Sequence, residues 1–437
     1  MRFAIYTLGC KVNQYETQAM ETLLTRRGHQ LVPFDADAEV YLVNTCSVTA
    51  VSDKKCRGVI RRARREHPNA ILGVCGCYAQ HAPELMAELG ADVFGGTGDR
   101  LGFLAQVERR ALGQEAESHV DDALRRPDPF EVLPAGGLRR RTRAMLKVED
   151  GCQNFCTYCI IPFTRGPVRS ASLDVAVEQA KALCAEGYRE IVLTGIEISS
   201  WGRDLKNGQS LIDLMEAVCA AVPELRVRLG SLEPRTITEE FCERAAKLPN
   251  LCPHFHLSLQ SGCDATLARM HRRYDTARFL ESCALLRRFF DRPSITTDLI
   301  CGFPGETEEE FAQTLDFLRK ADFSAMHIFP YSRRPGTKAD EMPGQVPKSV
   351  REARCRQAAE LAAEMQRNYL SRFVGEELEV LFEETADGQA EGPGLWRGHA
   401  PNYAEVRAAG KDLHNVPRRV RITKAEAGCL CGEVVGD

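Results

Sequence analysis

Between residues 141 and 335 the chain repeats one pattern six times, a short apolar run followed by a longer amphipathic stretch. The runs are "RAMLKVE" (143–149), "EIVLTGI" (190–196), "RVRLGSL" (226–232), "HFHLSLQ" (254–260), "SITTDLICG" (294–302) and "AMHIFPYS" (325–332). They read as buried strands, while stretches such as "SLDVAVEQAKALCAEG" and "ETEEEFAQTLDFLRKA" carry apolar residues at helical spacing. Strands separated by helices run parallel, because a parallel pair needs a crossover connection. Six units fall short of the eight that close a full barrel, so the pattern predicts an α/β fold with an open, partial (β/α)6 barrel over residues 141–368. Chemistry is then expected at the C-terminal ends of its strands.

The flanks differ. Residues 1–112 alternate "RFAIYTLG", "AEVYLVNT" and "AILGVCG" with helical patterns, which predicts a second parallel α/β domain. Residues 113–140 lose the pattern, carry Pro127, Pro129, Pro134 and Gly136-Gly137, and read as a linker. A long helix over about 347–372 leads to residues 369–437, where short strands and turn residues predict a small β-barrel. No apolar run approaches the ~18 residues of a membrane span, and the opening residues do not resemble a signal peptide. A cytoplasmic protein without membrane partners is expected. A formal net charge of −4 gives no bulk attraction to nucleic acid. The basic stretches "KKCRGVIRRARRE" (54–66), "LRRRTRAMLK" (138–147) and "PRRVRITK" (417–424) read individually as solvated faces.

Eighteen cysteines, scattered through a chain of this size, point to metal ligation, catalysis or packing rather than a disulfide scaffold. The sharpest group is "GCQNFCTYC", directly after the first barrel strand, with Cys152, Cys156 and Cys159 spaced C-x3-C-x2-C. A structural zinc site closes with four ligands, so a zinc knuckle here would be one short. Thiolates are the ligands of iron–sulfur clusters, and a [4Fe–4S] cubane held by three of them keeps one iron open. The amino and carboxylate groups of S-adenosylmethionine suit that position. With Tyr158 just before the last cysteine, the loop resembles the signature of the radical-SAM superfamily. Polar or glycine-rich strand ends then become candidate cofactor contacts: Tyr158, Glu197, Ser231, Glu233, Gln260 (beside Ser258), Gly302 and Gly305 (beside Glu306). For the glycines a plain tight turn is the competing reading.

Cys10, Cys46 and Cys77 each close an N-terminal strand, and ligands of open α/β sheets gather at such carboxyl ends. Buried packing is the bland alternative. "GCKVNQYE", "NTC", "GCYAQ", "GCQNFCTYCIIPFTRG", "SLQSG" and "DLICGFPGETEEEF" together resemble the radical-SAM methylthiotransferase family along nearly the whole chain. "TLGCKVNQYE" and "GCYAQ" are similar to its bacterial branch acting on N6-threonylcarbamoyladenosine beside the tRNA anticodon. The resemblance implies two [4Fe–4S] clusters, on Cys10/Cys46/Cys77 and Cys152/Cys156/Cys159. One S-adenosylmethionine would methylate a sulfur on the N-terminal cluster. A second would be cleaved at the other, and the radical would take the hydrogen at adenine C2 before the methylthio group is attacked. No amino-acid side chain is implied as catalytic beyond the cluster-bound cofactors. It further implies a C-terminal TRAM-like RNA-binding module, a low-potential electron donor of flavodoxin or ferredoxin type, a sulfur donor, and the tRNA anticodon loop as partner. Candidate RNA contacts are Tyr403, Arg418, Arg419 and Arg421, with the basic run Arg139–Arg143. The tail from Tyr369 nevertheless carries 8 Lys/Arg against 12 Asp/Glu.

The family pattern selects Cys77 over Cys75, which shares its strand face if the strand runs on. Cys429 and Cys431 share a strand face without an evident third partner. With Cys184, Cys219, Cys242, Cys252, Cys263, Cys283, Cys301 and Cys355, they are expected to pack. Ala171 and Ile196-Glu197-Ile198-Ser199 depart from the family pattern, so contacts near Glu197 are the least defined. The competing functions are methylthiolation of an N6-isopentenyl adenosine or of a ribosomal-protein aspartate, and a metal-stabilised RNA-binding protein without turnover.

Overall fold

The computed structural model describes residues 1–126, 129–137, 142–388 and 392–436. Strands β1 (Arg2–Thr7), β2 (Gln30–Val32), β3 (Val40–Thr45), β4 (Ile71–Gly76) and β5 (Val93–Phe94) form a parallel sheet ordered β2-β1-β3-β4-β5. β3 lies at its centre and is buried along its whole length, as expected for a strand covered on both faces. The order makes β1, β3 and β4 adjacent, so the three strand ends carrying Cys10, Cys46 and Cys77 lie side by side. Helices Lys11–Arg26 and Ala50–Glu66 return the chain. The second buries Cys56, Ile60 and Ala63, so the basic stretch 54–66 is the solvated side of an amphipathic helix.

In the central region β6 (Arg143–Lys147) is followed by an antiparallel clip of β7 (Glu149–Asp150) and β8 (Arg169–Ser170) around the cysteine loop. Then come β9 (Glu190–Thr194), β10 (Arg226–Leu229), β11 (Ser231–Leu232), β12 (His254–Gln260), β13 (Ser294–Cys301) and β14 (Ala325–Pro330). All six sequence runs form strands and all pair in parallel. The third is broken at Gly230, giving two sheets, β10-β9-β6 and β11-β12-β13-β14, along one open arc. One hydrophobic core runs beneath both.

Helix Lys348–Ser371 leads into β15 (Glu377–Thr385), β16 (Pro393–His399), β17 (Glu405–Lys411), β18 (Pro417–Glu426) and β19 (Cys429–Val434). These close a barrel in the order β15-β16-β17-β19-β18 around Trp396, Val406, Val420 and Leu430. The stretch read as a linker is laid down rather than loose. Leu133 is buried and its carbonyl accepts from the Tyr15 hydroxyl at 2.6 Å, while Arg126 bonds Gln80, Thr97 and the Arg165 carbonyl. Among the described residues no helix is long and apolar enough to cross a membrane.

Candidate metal centres

The loop trio is fixed locally. Gly151, at φ +91°, turns the chain out of β7 where any Cβ would strike the Pro167 carbonyl, so only glycine fits. The Cys152 amide donates to the Gly166 carbonyl at 3.0 Å, and the Cys159 amide to the Cys156 carbonyl at 2.9 Å. Thr157 pins the loop outward through the carbonyls of Met270 and Arg269 and the amide of Ala339. Arg272 donates one Nη to Cys156 Sγ at 3.2 Å and the other to the Ser258 carbonyl at 3.1 Å. Burial pushes the Cys159 thiol up to about 12, with the Cys156 thiol adding to it. The Cys152 thiol rises through burial first, then through Cys159, Glu197 and Cys156.

The sheet trio is assembled from distant chain. Gly9, at φ +118°, brings the Cys10 turn so close that a Cβ there would lie 2.9 Å from Cys46 Cβ and 3.1 Å from its Sγ. Asn13 ties the strand ends together: its Nδ2 donates to the carbonyls of Leu8 (2.9 Å) and Thr45 (2.8 Å), and its Oδ1 lies 3.5 Å from Cys10 Sγ. Gly76, at φ +99°, breaks the strand alternation, so Cys75 and Cys77 fall in different surroundings. Cys75 stays in β4 and packs in the core with Phe3, Leu42 and Phe103, while Cys77 starts the next helix beside the other two ends. Burial pushes Cys77 up to about 11, with Cys10 and Cys46 adding to it and Arg165 opposing. Cys56, which sequence reasoning passed over, lies behind this trio. Its Sγ donates to the Cys46 carbonyl at 3.2 Å and accepts from the Cys46 amide at 3.4 Å, so it shapes the turn as a buried thiol.

Neither trio is drawn to the spacing of a single ion. A tetrahedral zinc at 2.3 Å from each thiolate needs sulfurs about 3.8 Å apart. Among the described residues only Glu426, Cys429 and Cys431 bring three such ligand atoms within 4.8 Å of one another. That group corrects the expectation that Cys429 and Cys431 have no third partner: the β18–β19 hairpin folds Glu426 back beside them. Its carboxylate is already ion-paired with Lys424 at 2.5 Å.

Between the trios lies a buried charge network joining the two parallel sheets. Glu16, on helix Lys11–Arg26, meets Arg165 (2.5 Å), Arg100 (2.8 Å) and Lys147 (3.3 Å). Asp150 meets Lys147 (2.6 Å), Arg165 (3.2 Å) and Arg169 (3.5 Å). Burial opposes ionisation of Glu16, yet Arg100, Arg165 and Lys147 hold its carboxyl far below the usual carboxylate range. A second strut, Arg334 after β14, reaches Ser47 Oγ (2.5 Å) and Asp53 (3.1 Å), next to Cys46. Neither arginine carried a sequence signal beyond standing in "FTRG" and "SRRPG".

The proposed cofactor contacts fall around the loop trio unequally. Tyr158 packs edge-on to Phe303, 6.4 Å between centroids, joining the cysteine loop to the Gly302–Gly305 turn. Glu197 accepts from the Ser199 amide (3.1 Å) and Ser200 Oγ (2.6 Å), and Glu233 is held by Arg235 at 2.7 and 3.1 Å. Ser231 is exposed, and Gln260 sits half-buried at φ +70° beyond the β12 bulge. Gly302 (φ +73°) and Gly305 (φ +76°) shape a turn braced by Glu306, which accepts from the Gly302 amide (3.0 Å) and pairs with Arg354 (2.7 Å). Sequence reasoning missed Glu149, a fully buried carboxyl behind Glu197. Its Oε2 accepts from the Glu197 amide at 2.8 Å, its Oε1 has no partner, and burial raises it well above the usual carboxylate range.

Tyr403 is exposed and also braces an internal contact. Its ring stacks between His254 (4.8 Å) and His399 (4.7 Å), under the guanidinium groups of Arg228 (4.7 Å) and Arg143 (5.3 Å), docking the C-terminal barrel onto the parallel arc. Arg143 pairs with Glu383 at 3.1 Å and Arg421 with Glu377 at 2.8 Å, while Arg419 is exposed and Arg418 half-buried. Arg139 to Arg141 lie outside the described residues. Lys11, next to Cys10, has no ion pair among the described residues. It is exposed at the surface, with Tyr403, Arg228 and Arg143 as electrostatic neighbours, and desolvation is the first of the causes that disfavour its charge.

A model of the Radical SAM superfamily matches residues 146–318, and a model of Uncharacterized protein family UPF0004 matches residues 2–95. The chain is 38% identical to "Threonylcarbamoyladenosine tRNA methylthiotransferase MtaB" of Bacillus subtilis, over 97% of this chain and 94% of that one. It is 37% identical to the protein of the same name from Thermotoga maritima, over 87% and 86%. To "tRNA-2-methylthio-N(6)-dimethylallyladenosine synthase" of Moorella thermoacetica it is 32% identical, over 99% and 98%. Among solved structures, the radical S-adenosylmethionine methyltransferase TsrM from Kitasatospora setae superposes with TM-score 0.58 at 15% identity, over 78% of this chain and 77% of that one. That likeness bears on the fold alone.

Proposed function

The chain belongs to the family of radical-SAM tRNA methylthiotransferases, and from that premise we propose that it places a methylthio group on C2 of N6-threonylcarbamoyladenosine beside the tRNA anticodon. The observation that carries the proposal is the pair of thiol trios, one gathered at the ends of β1, β3 and β4 and the other in the loop after β7, each spaced too widely for one ion. Their donor chemistry fits iron–sulfur cubanes. Cys152, Cys156 and Cys159 would hold the one that binds S-adenosylmethionine, and Cys10, Cys46 and Cys77 a second. When bound there, such a cluster would supply the low-potential electron and radical chemistry that an unactivated aromatic C–H requires.

The chain's own residues bind and orient. Glu197, Glu233, Ser231 and Gln260 line the strand ends around the loop trio, with Tyr158 and the Gly302–Gly305 turn closing the far side. Glu197 is prealigned by Ser199 and Ser200. Lys11 supports the threonylcarbamoyl substrate over an isopentenyl one: a cation beside Cys10 matches the substrate's carboxylate and has nothing to gain from a neutral alkyl group. The closed C-terminal barrel would act as a TRAM-like RNA module through Arg418 and Arg419, with phosphate contacts positioning the loop. A low-potential flavodoxin- or ferredoxin-type donor and a separate sulfur donor complete the reaction, in the cytoplasm. Mass spectrometry of tRNA nucleosides from a strain lacking the gene tests the substrate. 2-Methylthio-N6-threonylcarbamoyladenosine should vanish; its persistence with loss of the isopentenyl counterpart would overturn the substrate assignment.

A further inference from the structure

We propose that Arg165 is a positioning residue that sets the charge and reduction equilibrium of the N-terminal metal centre, although it is carried on the loop of the other one. The inference rests on the two-centre reading above. Arg165 lies six residues beyond Cys159 and is fully buried. Its Nη2 donates to Asn13 Oδ1 at 2.9 Å, and that same oxygen lies 3.5 Å from Cys10 Sγ. One side-chain amide therefore connects the guanidinium to the first thiol and, through its Nδ2, holds the Thr45 carbonyl just before Cys46. The remaining Nη donors go to Glu16 and Asp150. Nε is buried and has no acceptor among the described residues.

The charge balance points the same way. Arg100, Lys147, Arg165 and Arg169 share two buried carboxylates, Glu16 and Asp150, with Glu131 at the rim of the network. Four cations therefore share three carboxylates, which leaves the network with a net positive charge, and surplus buried charge is costly. Arg165 reaches the sheet trio through Asn13, so negative charge on a centre held there would balance the surplus. A fixed buried cation linked to a thiolate-bound centre through one amide favours its reduced, more negative state, since net charge and hydrogen bonds around the sulfurs set such equilibria.

The test uses the full chain with Cys152, Cys156 and Cys159 replaced by alanine, reconstituted without oxygen so that one centre remains. Iron and sulfide are counted, and the centre is titrated by electron paramagnetic resonance. Arg165→Gln should keep the iron, because Lys147 still pairs with both carboxylates. It should shift the equilibrium about tenfold toward the oxidised form, about 59 mV for one electron. Arg165→Lys and Asn13→Ala should give smaller shifts in the same direction. Arg100→Gln removes an equally buried charge that bonds Glu16 and the Gly96 carbonyl but not Asn13, and should cost stability without moving the potential. An Arg165→Gln centre that titrates like its parent, or an Arg100→Gln shift of equal size, overturns the proposal. If Arg165→Gln fails to fold, unshifted potentials in both Arg165→Lys and Asn13→Ala overturn it. If the parent variant binds no iron, the two-centre reading fails and this inference with it, a different result from an iron-bearing centre indifferent to Arg165.

Discussion

The loop trio and the sheet trio offer the same three sulfurs but hold them in different ways. Cys152, Cys156 and Cys159 belong to one turn, shaped by Gly151 and clipped by β7 and β8, and Arg272 gives Cys156 a direct hydrogen bond. Cys10, Cys46 and Cys77 meet only because β1, β3 and β4 are neighbours, and their cation, Arg165, comes from another region of the chain. The loop trio is therefore set by local chain. The sheet trio is a product of tertiary structure, so changes in the seam or in the strand-end glycines reach it first.

The sharpest break between them is functional. Cys156→Ala should abolish formation of 5′-deoxyadenosine altogether. Cys77→Ala should leave that cleavage measurable while abolishing methylthio insertion, and equal loss in both would erase the distinction. Arg272→Ala comes next. Removing a side chain that supports a metal ligand typically costs about 10–100-fold in affinity or activity, and here cofactor cleavage should fall by that much with iron at the sheet trio retained. Gly76→Ala forces a side chain into the left-handed region, with its Cβ 2.5 Å from the Thr45 carbonyl. It should cost roughly 1–3 kcal/mol in denaturant unfolding and empty the sheet trio before the loop trio.

The smallest effect is acid sensitivity of the seam. The folded-state pKa of Glu16 lies below its ordinary 4.5, so its contribution is complete above that value and is lost as pH falls beneath it. Unfolding followed between about pH 6 and pH 3 should show this loss in the parent and a flatter profile in Glu16→Gln.

Much of this was legible in the sequence. The six-fold alternation predicted the parallel arc, because apolar runs of that length between helical stretches have few other solutions, and the cysteine loop announced itself by spacing alone. Strand-end position left Cys10, Cys46 and Cys77 free to converge or to pack, the family resemblance favoured convergence, and the order β1-β3-β4 makes them neighbours. What stayed hidden depends on three-dimensional complementarity. The different surroundings of Cys75 and Cys77 follow from the φ of Gly76. Arg165, Arg334 and Glu149 are buried charges that no periodicity marks, since polar residues read as surface unless a partner is known. The ring contacts of Tyr403 with His254, Arg143 and Arg228 were equally hidden, because those partners come from distant parts of the chain.

The most direct test of two separate centres is iron and acid-labile sulfide per chain after oxygen-free reconstitution. The parent protein should hold about eight irons, and about four should remain when either trio is replaced by alanine. About four in the parent, falling to none when Cys152, Cys156 and Cys159 are replaced, would contradict the account.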